Sequence, residues 1–184
     1  MEEQAEILLK YLEDPIKAYI FVVILRNPDI TSQEIKQEMH ISGTKIFYHL
    51  KQMMESDPPL IIESGQQKVT KHLFKRKFRI SKITQELVKK HFRPGAKYYH
   101  LYGLYLATAI QHQQIRRVKY LMEKGEEPQG SSLMMFIDDE IAEELRNGLE
   151  HIFRKCSEKY KEMDRFDALR ICRNAAFAGI YQLS

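Results

Sequence analysis

Apolar residues recur every three to four positions in the first part of the chain and predict a series of short helices. Between residues 5 and 26 the pattern is divided at Asp14-Pro15, a favoured N-cap followed by a favoured first helical residue. Two helices are therefore expected there. Thr31 and Glu34 have the spacing of a capping box and predict the next helix, and a further helix is expected from Gly43 to about residue 56.

A β-hairpin is predicted after these helices. Leu60–Glu63 has the composition of a strand and Ser64–Gln67 that of a turn, while residues 69–80 alternate loosely, as a returning strand would. Three helices followed by a basic hairpin is the order of elements in a winged helix, and the last three of the four predicted helices precede the hairpin in this way.

The remaining chain is predicted to be mainly helical. A short helix over residues 81–92, capped by Ser81, precedes Arg93-Pro94-Gly95, which marks a domain boundary. A long helix over 97–124 follows, then a strand over Leu133–Ile137 and a helix from Asp138 to about Met163. Phe177–Leu183 either pairs as a final strand, which we favour, or continues as helix. The expected fold class is mainly α with a small β wing (α+β), in two domains, 1–93 and 97–184.

The segment from Thr31 to Lys51 resembles the helix-turn-helix of the ArsR-like winged-helix transcriptional regulators. Tyr11–Ile20 resembles the opening helix of that family, where an Asp-Pro precedes a basic residue, and Ile46–Lys51 resembles the end of its recognition helix, where a His-Leu pair recurs. The resemblance covers about residues 6–80. It implies a winged helix that binds DNA. The second half is similar only in outline to the helical dimerisation or effector regions of such regulators.

Side chains suited to DNA contact occur on the predicted recognition helix and on the hairpin. The N-terminal end of such a helix offers short polar or flexible side chains to base edges, and its amides favour phosphate. The predicted contacts are Ser42, Gly43, Thr44, Lys45, Phe47, Tyr48 and Lys51 on the helix, and Gln66, Gln67, Lys68, Lys71, Lys75 and Arg76 on the hairpin. Phe47 is unusual on a DNA-facing surface, and partial burial is its alternative. His49 is expected to be structural, bonded to backbone.

The distribution of charge favours a polyanionic partner. Ser64 to Lys97 contains eleven basic residues and one acid, a local net charge of +10, whereas the whole chain carries +4. The rest of the chain is therefore net acidic. A concentrated positive segment of this kind is typical of a nucleic-acid footprint, and a solvated basic face is the alternative.

Other functional classes have little support in the sequence. It contains no glycine-rich phosphate loop, nucleophile elbow or HExxH pattern, so no catalytic residue is predicted. His100 and His112 lack partner carboxylates, and neither a metal nor another cofactor is expected. Two cysteines and an acidic N-terminus indicate a cytoplasmic protein, and the longest apolar run, Tyr19–Leu25, is too short to cross a bilayer.

The sequence thus predicts a homodimeric transcriptional regulator on a palindromic operator in double-stranded DNA, with its main dimer contact on the helix over 97–124. A tyrosine stripe on that helix, Tyr98, Tyr99, Tyr102 and Tyr105, could line a pocket for a small-molecule effector. A dimer seam or core face is the favoured alternative for it. The alternative function is a winged-helix module that binds proteins within a larger assembly.

Overall fold

The computed structural model describes residues 2–40, 43–68, 70, 74–127 and 139–159. Contacts divide the chain into two compact units, Met1–Pro128 and Gln129–Ser184. The helices and strands are α1 (Glu2–Leu12), α2 (Pro15–Arg26), β1 (Ile30–Thr31), α3 (Ser32–Met39), α4 (Gly43–Met54), β2 (Ile61–Lys68), β3 (Phe74–Ile80), α5 (Lys82–His91), α6 (Tyr99–Glu123) and α7 (Asp139–Lys159). The described fold is mainly α with a small β region, as predicted, and its sheet has three antiparallel strands.

Three of the predicted helix starts are capped as the sequence indicated. Asp14 Oδ1 accepts a hydrogen bond from the backbone N–H of Ile16 at 2.9 Å. Thr31 and Glu34 form the reciprocal capping box, with the Glu34 carboxylate 2.8 Å from the Thr31 backbone nitrogen. Ser81 Oγ accepts from the backbone of the third helical residue of α5 at 3.1 Å. These local bonds satisfy N–H groups that the helices leave unpaired.

The sheet differs from the predicted hairpin in two respects. A two-residue strand, β1, pairs with β3 and was not predicted, and the strand order is β1-β3-β2. The predicted turn over Ser64–Gln67 is wrong, because β2 continues to Lys68 and residues 65–67 pair with β3. A β-bulge between Glu63 and Gly65 inserts an extra residue, and Gly65 accommodates it with a φ of 150°.

The core of the first unit is built around α2. Ile20, Phe21 and Ile24 are almost fully buried, and α4 adds Ile46 and Leu50 from one side. Helix α6 also packs on α1 and α2, so the compact unit continues beyond the break that was predicted at residues 93–95. A division of function between 1–93 and 97–184 stays a prediction.

The second unit is described as the single helix α7. All of its described residues lie within the helix predicted from Asp138 to about Met163. The predicted strands over Leu133–Ile137 and Phe177–Leu183 lie outside the described residues. Within the described part of the chain, no helix is long and apolar enough to cross a membrane.

Candidate nucleic-acid interface

Helix α4 follows α3 and has one buried face and one exposed face. α3 ends at Met39, its C-cap His40 turns the chain with a φ of 50°, and α4 begins three residues after His40. On α4 the side chains of Ile46, Leu50 and Met53 are buried, and this face packs towards α3 and β2. The opposite face consists of exposed Thr44, Lys45, Phe47, Tyr48 and Lys51. The helix therefore has an outward face that contributes nothing to the core.

Phe47 belongs to this outward face. It is 56% exposed and the adjacent Tyr48 is 60% exposed, so the partly buried alternative for Phe47 is wrong. The Tyr48 hydroxyl accepts a hydrogen bond of 2.7 Å from Gln52 Nε2, which orients its ring along the helix. Gly43 has open space around it, since an added Cβ would meet only the end of Lys36, at 3.9 Å. Ser42, the first predicted contact, lies outside the described residues.

His49 lies on the buried side of α4, as expected for a structural residue. It is 7% exposed, and its Nδ1 is 3.9 Å from Asp14 Oδ2. The expected backbone bond is not found at Nδ1, which has no hydrogen-bond partner among the described residues. Burial lowers the pKa of His49 below its ordinary value, although the Asp14 carboxylate opposes this shift. The ring is therefore neutral at pH 7 and stabilises the helix by packing.

The hairpin carries the second group of predicted contacts. Gln66, Gln67 and Lys68 are exposed on β2, and they pair in register with Arg76, Lys75 and Phe74 on β3. Phe74 is 52% exposed and was not among the predicted contacts. Side chains alternate along a strand, so Phe74 and Arg76 share the face whose inner end is buried Phe78. Lys71 lies outside the described residues.

The basic segment between Ser64 and Lys97 does not form one patch. Arg79 donates twice to Asp29 Oδ1, from Nε at 3.1 Å and from Nη2 at 2.8 Å. Lys97 Nζ donates to Glu2 at 2.8 Å, and this bond raises the pKa of the lysine. Three further basic residues lie on α5, which packs on α1. The predicted single footprint of +10 is therefore corrected: the fold pairs part of this charge and separates the rest.

The four tyrosines of the predicted stripe do not form one exposed face. Tyr102 is 2% and Tyr98 9% exposed, because both pack against Phe92 in the interior. Tyr98 also donates a 2.6 Å hydrogen bond to Glu6, and the partly exposed Tyr105 donates one of 3.2 Å to Glu13. Tyr99 is half-buried. The core-face alternative holds for Tyr98 and Tyr102, whose side chains fix α6 to α1 and α5.

A cleft lies elsewhere in the first unit, between α2, α3 and α6. Its volume is about 700 Å³, and Tyr19, Glu38, His40, Gln113, Arg117 and Tyr120 are among the lining residues. The rings of His40 and Tyr120 stack with centroids 4.5 Å apart, and Gln113 Nε2 donates to the Glu38 carbonyl at 3.2 Å. This site was not predicted, because its lining residues come from distant parts of the sequence and share no local pattern.

Comparison with protein-family models and with curated proteins found no match to this chain. Among the described residues, no group of three or more histidines, cysteines and acids is placed to hold a metal ion. The assignment of function therefore depends on the surfaces of the first unit.

Proposed function

We propose that the chain is a cytoplasmic, non-enzymatic regulator of transcription that binds double-stranded DNA through a winged helix-turn-helix. The order α2-β1-α3-α4-β2-β3, with β1 on the far side of β3 from β2, supports this assignment. In a winged helix the second helix of the helix-turn-helix enters the major groove and the hairpin contacts the backbone or the minor groove. Here α4 is the recognition helix and β2–β3 the wing.

The outward face of α4 is the observation that carries the proposal. Five consecutive or near-consecutive side chains at its N-terminal end and middle are exposed, and none is needed for packing. Thr44 and Lys45 offer a hydroxyl and an ammonium to base edges or phosphate, and the free backbone amides of the first turn favour an anion. On the wing, the exposed side chains of Gln66, Gln67 and Lys68 offer amides and an ammonium to the DNA in the same way.

A second copy of the chain completes the proposed regulator. On α6, Leu101, Leu104, Ile115, Val118 and Met122 are between 36% and 66% exposed. Their spacing follows the alternating three- and four-residue steps of a coiled-coil seam, with Thr108 and Gln111 at the central positions. Between Leu101 and Met122 the seam extends about 32 Å along the 25-residue helix. We propose that two α6 helices pair there, which would match a palindromic operator.

Salt dependence of binding tests the DNA assignment. Removing one phosphate contact from a duplex complex makes the plot of log affinity against log salt less steep by about 0.9. Lys68→Gln removes an exposed wing cation, so the slope for a dimer should become less steep by about 2. Lys97→Gln removes the same charge from a lysine that is paired with Glu2, and should leave the slope unchanged. Fluorescence anisotropy with random duplex over a series of salt concentrations measures both.

The alternative is a module that binds another protein, and the adjacent exposed aromatics Phe47 and Tyr48 favour it. A wild-type slope near zero, or equal slopes for the two lysine variants, would exclude DNA contact by the wing. Retention of a protein partner by the wild type but not by Tyr48→Ala would then support the module.

A further inference from the structure

The cleft between α2, α3 and α6 has the size of a ligand site. A volume of about 700 Å³ falls within the range of pockets that hold small organic molecules. Every lining residue belongs to the first unit, and the lining combines carboxylates, amides, aromatic rings and one guanidinium. Neither the outward face of α4 nor the wing contributes to it.

The charges of the cleft favour a positively charged guest. Asp29 is already engaged by Arg79, and Glu34 accepts hydrogen bonds from Thr31, which lower its pKa and keep it ionised. Glu38 accepts one side-chain hydrogen bond, 3.3 Å from the Tyr19 hydroxyl. Against these carboxylates the lining offers Arg117 as its guanidinium. The lining itself therefore holds two carboxylates, Glu34 and Glu38, against one guanidinium after Asp29 is discounted, while Arg26 acts on Tyr19 and Lys75 and Lys77 act on Glu34 from outside the lining.

Two polar side chains of the lining, those of Tyr19 and Gln113, are hydrogen-bonded to Glu38. Gln113 is only 4% exposed although it lines the cleft, and its amide N–H is directed to the backbone of Glu38. Burial and the Glu38 carboxylate raise the pKa of Tyr19 to about 12, so its hydroxyl keeps its proton at neutral pH. The cleft thus has the Glu38 carboxylate beside a neutral phenol and an amide.

We propose that this cleft binds a small organic cation, an amine or quaternary ammonium that carries an aromatic ring. The ammonium is held by Glu38 with Glu34 nearby, and the ring packs against Tyr19 and Leu121. Carboxylates with aromatic neighbours are the usual means by which proteins bind such cations. The site is independent of DNA contact, and its regulatory role rests on the function proposed above.

The cleft is also placed to act on the recognition helix. His40 ends α3, stacks on Tyr120 of α6, and is separated from α4 by two residues. α3 packs directly against α4. A guest that contacts both Glu38 and α6 therefore holds α3 in one position relative to α6.

A matched series of fluorescent probes tests the charge preference on the full chain. Naphthylethylamine is a cation, naphthylalanine a zwitterion and naphthylpropionate an anion, and the absence of tryptophan leaves their emission unobscured. Saturable binding is expected in the order cation, zwitterion, anion. Glu38→Gln should weaken the cation about tenfold, the usual cost of removing a charged hydrogen bond. Glu123→Gln, which removes an exposed acid of α6 outside the cleft, should leave the affinity unchanged.

Amide hydrogen exchange with naphthylethylamine provides a second, DNA-independent measurement. The cation should slow exchange in α3 and in α6 around Gln113, and leave α5 unchanged. No saturable binding, tighter binding of the anion or zwitterion, or equal binding to Glu38→Gln and the wild type would each overturn the site. Protection in α5 but not in α3 would place the guest elsewhere and overturn it too. Because no duplex is present, these outcomes are separate from the failure of DNA binding.

Discussion

Phe47 is expected to recognise thymine in the major groove through its methyl group. The ring is 56% exposed on the outward face of α4 and is flanked by Lys45 and Lys51, which favour the phosphates on either side. The thymine methyl is the apolar feature that the major groove offers to such a side chain. Burying one methyl contributes about 0.8 kcal/mol, which is about fourfold in affinity for one contact. Two half-sites on a symmetric dimer would give about fifteenfold.

The assay replaces thymine with uracil, one position of each half-site at a time, in a duplex selected from a random library. Uracil lacks only the methyl group, so base pairing is kept. Wild-type protein should show the stated fall in affinity at one thymine of each half-site. Phe47→Ala should bind more weakly, and it should no longer distinguish thymine from uracil there.

Phe74→Ala is the matched control, because that ring is also about half exposed but lies on the wing. It should keep the full thymine preference at the position that Phe47 reads. A wild type that is indifferent to uracil everywhere, or a Phe47→Ala variant that retains the whole preference, would refute the contact. A large fall in the melting temperature of Phe47→Ala would refute the exposed position of the ring.

Three further results are expected. His49→Gln should make the free energy of unfolding less dependent on pH. Burial lowers the pKa of His49 in the folded state, so the unfolded state binds the proton more readily. In urea titrations the wild type should therefore lose stability as pH falls below the ordinary histidine pKa of 6.5. Leu104→Glu should give monomers in analytical ultracentrifugation, whereas Glu123→Lys should not, because the exposed Glu123 lies outside the seam and outside the positions that flank it. Thr31→Ala removes the capping box of α3 and should cost about 1 kcal/mol of unfolding free energy in urea titrations, unless Glu34 alone holds the helix start.

The helix starts of the first unit were predictable because their signals are local. Asp14, Thr31 and Ser81 each bond an amide two or three residues away, and side chains at that range need no tertiary structure. β1 was not predictable, since two residues show no periodicity and Ile30 becomes a strand only by pairing with Phe78, far along the chain. Ser64–Gln67 has the composition of a turn, and only the register with β3 makes it a strand.

The candidate sites, too, were predictable from the sequence only where their signal is local. The exposed face of α4 follows from helical periodicity, which separates Thr44 and Lys45 from buried Ile46 within a single turn. The tyrosine stripe of α6 has the same periodicity, yet α1 and α5 cover Tyr98 and Tyr102. No pattern within the sequence of α6 indicates which other elements pack against these side chains. The cleft depends on three helices meeting, and no local pattern joins Glu38 to Gln113.

The segment between Ser64 and Lys97 shows why the net charge of a stretch of sequence overestimates the number of cations available to contact DNA. Its eleven cations appear as one cluster in the sequence, but Arg79 and Lys97 hold carboxylates of the chain itself. Arg76 remains largely exposed, with Glu63 3.7 Å away. Among the predicted contacts that are described, five cations per protomer remain: Lys45, Lys51, Lys68, Lys75 and Arg76. A dimer that used all of them would have a salt slope of about −9, and any steeper slope requires cations beyond these five, such as Lys77 on β3. The measured slope therefore limits the size of the surface as well as showing whether DNA binds.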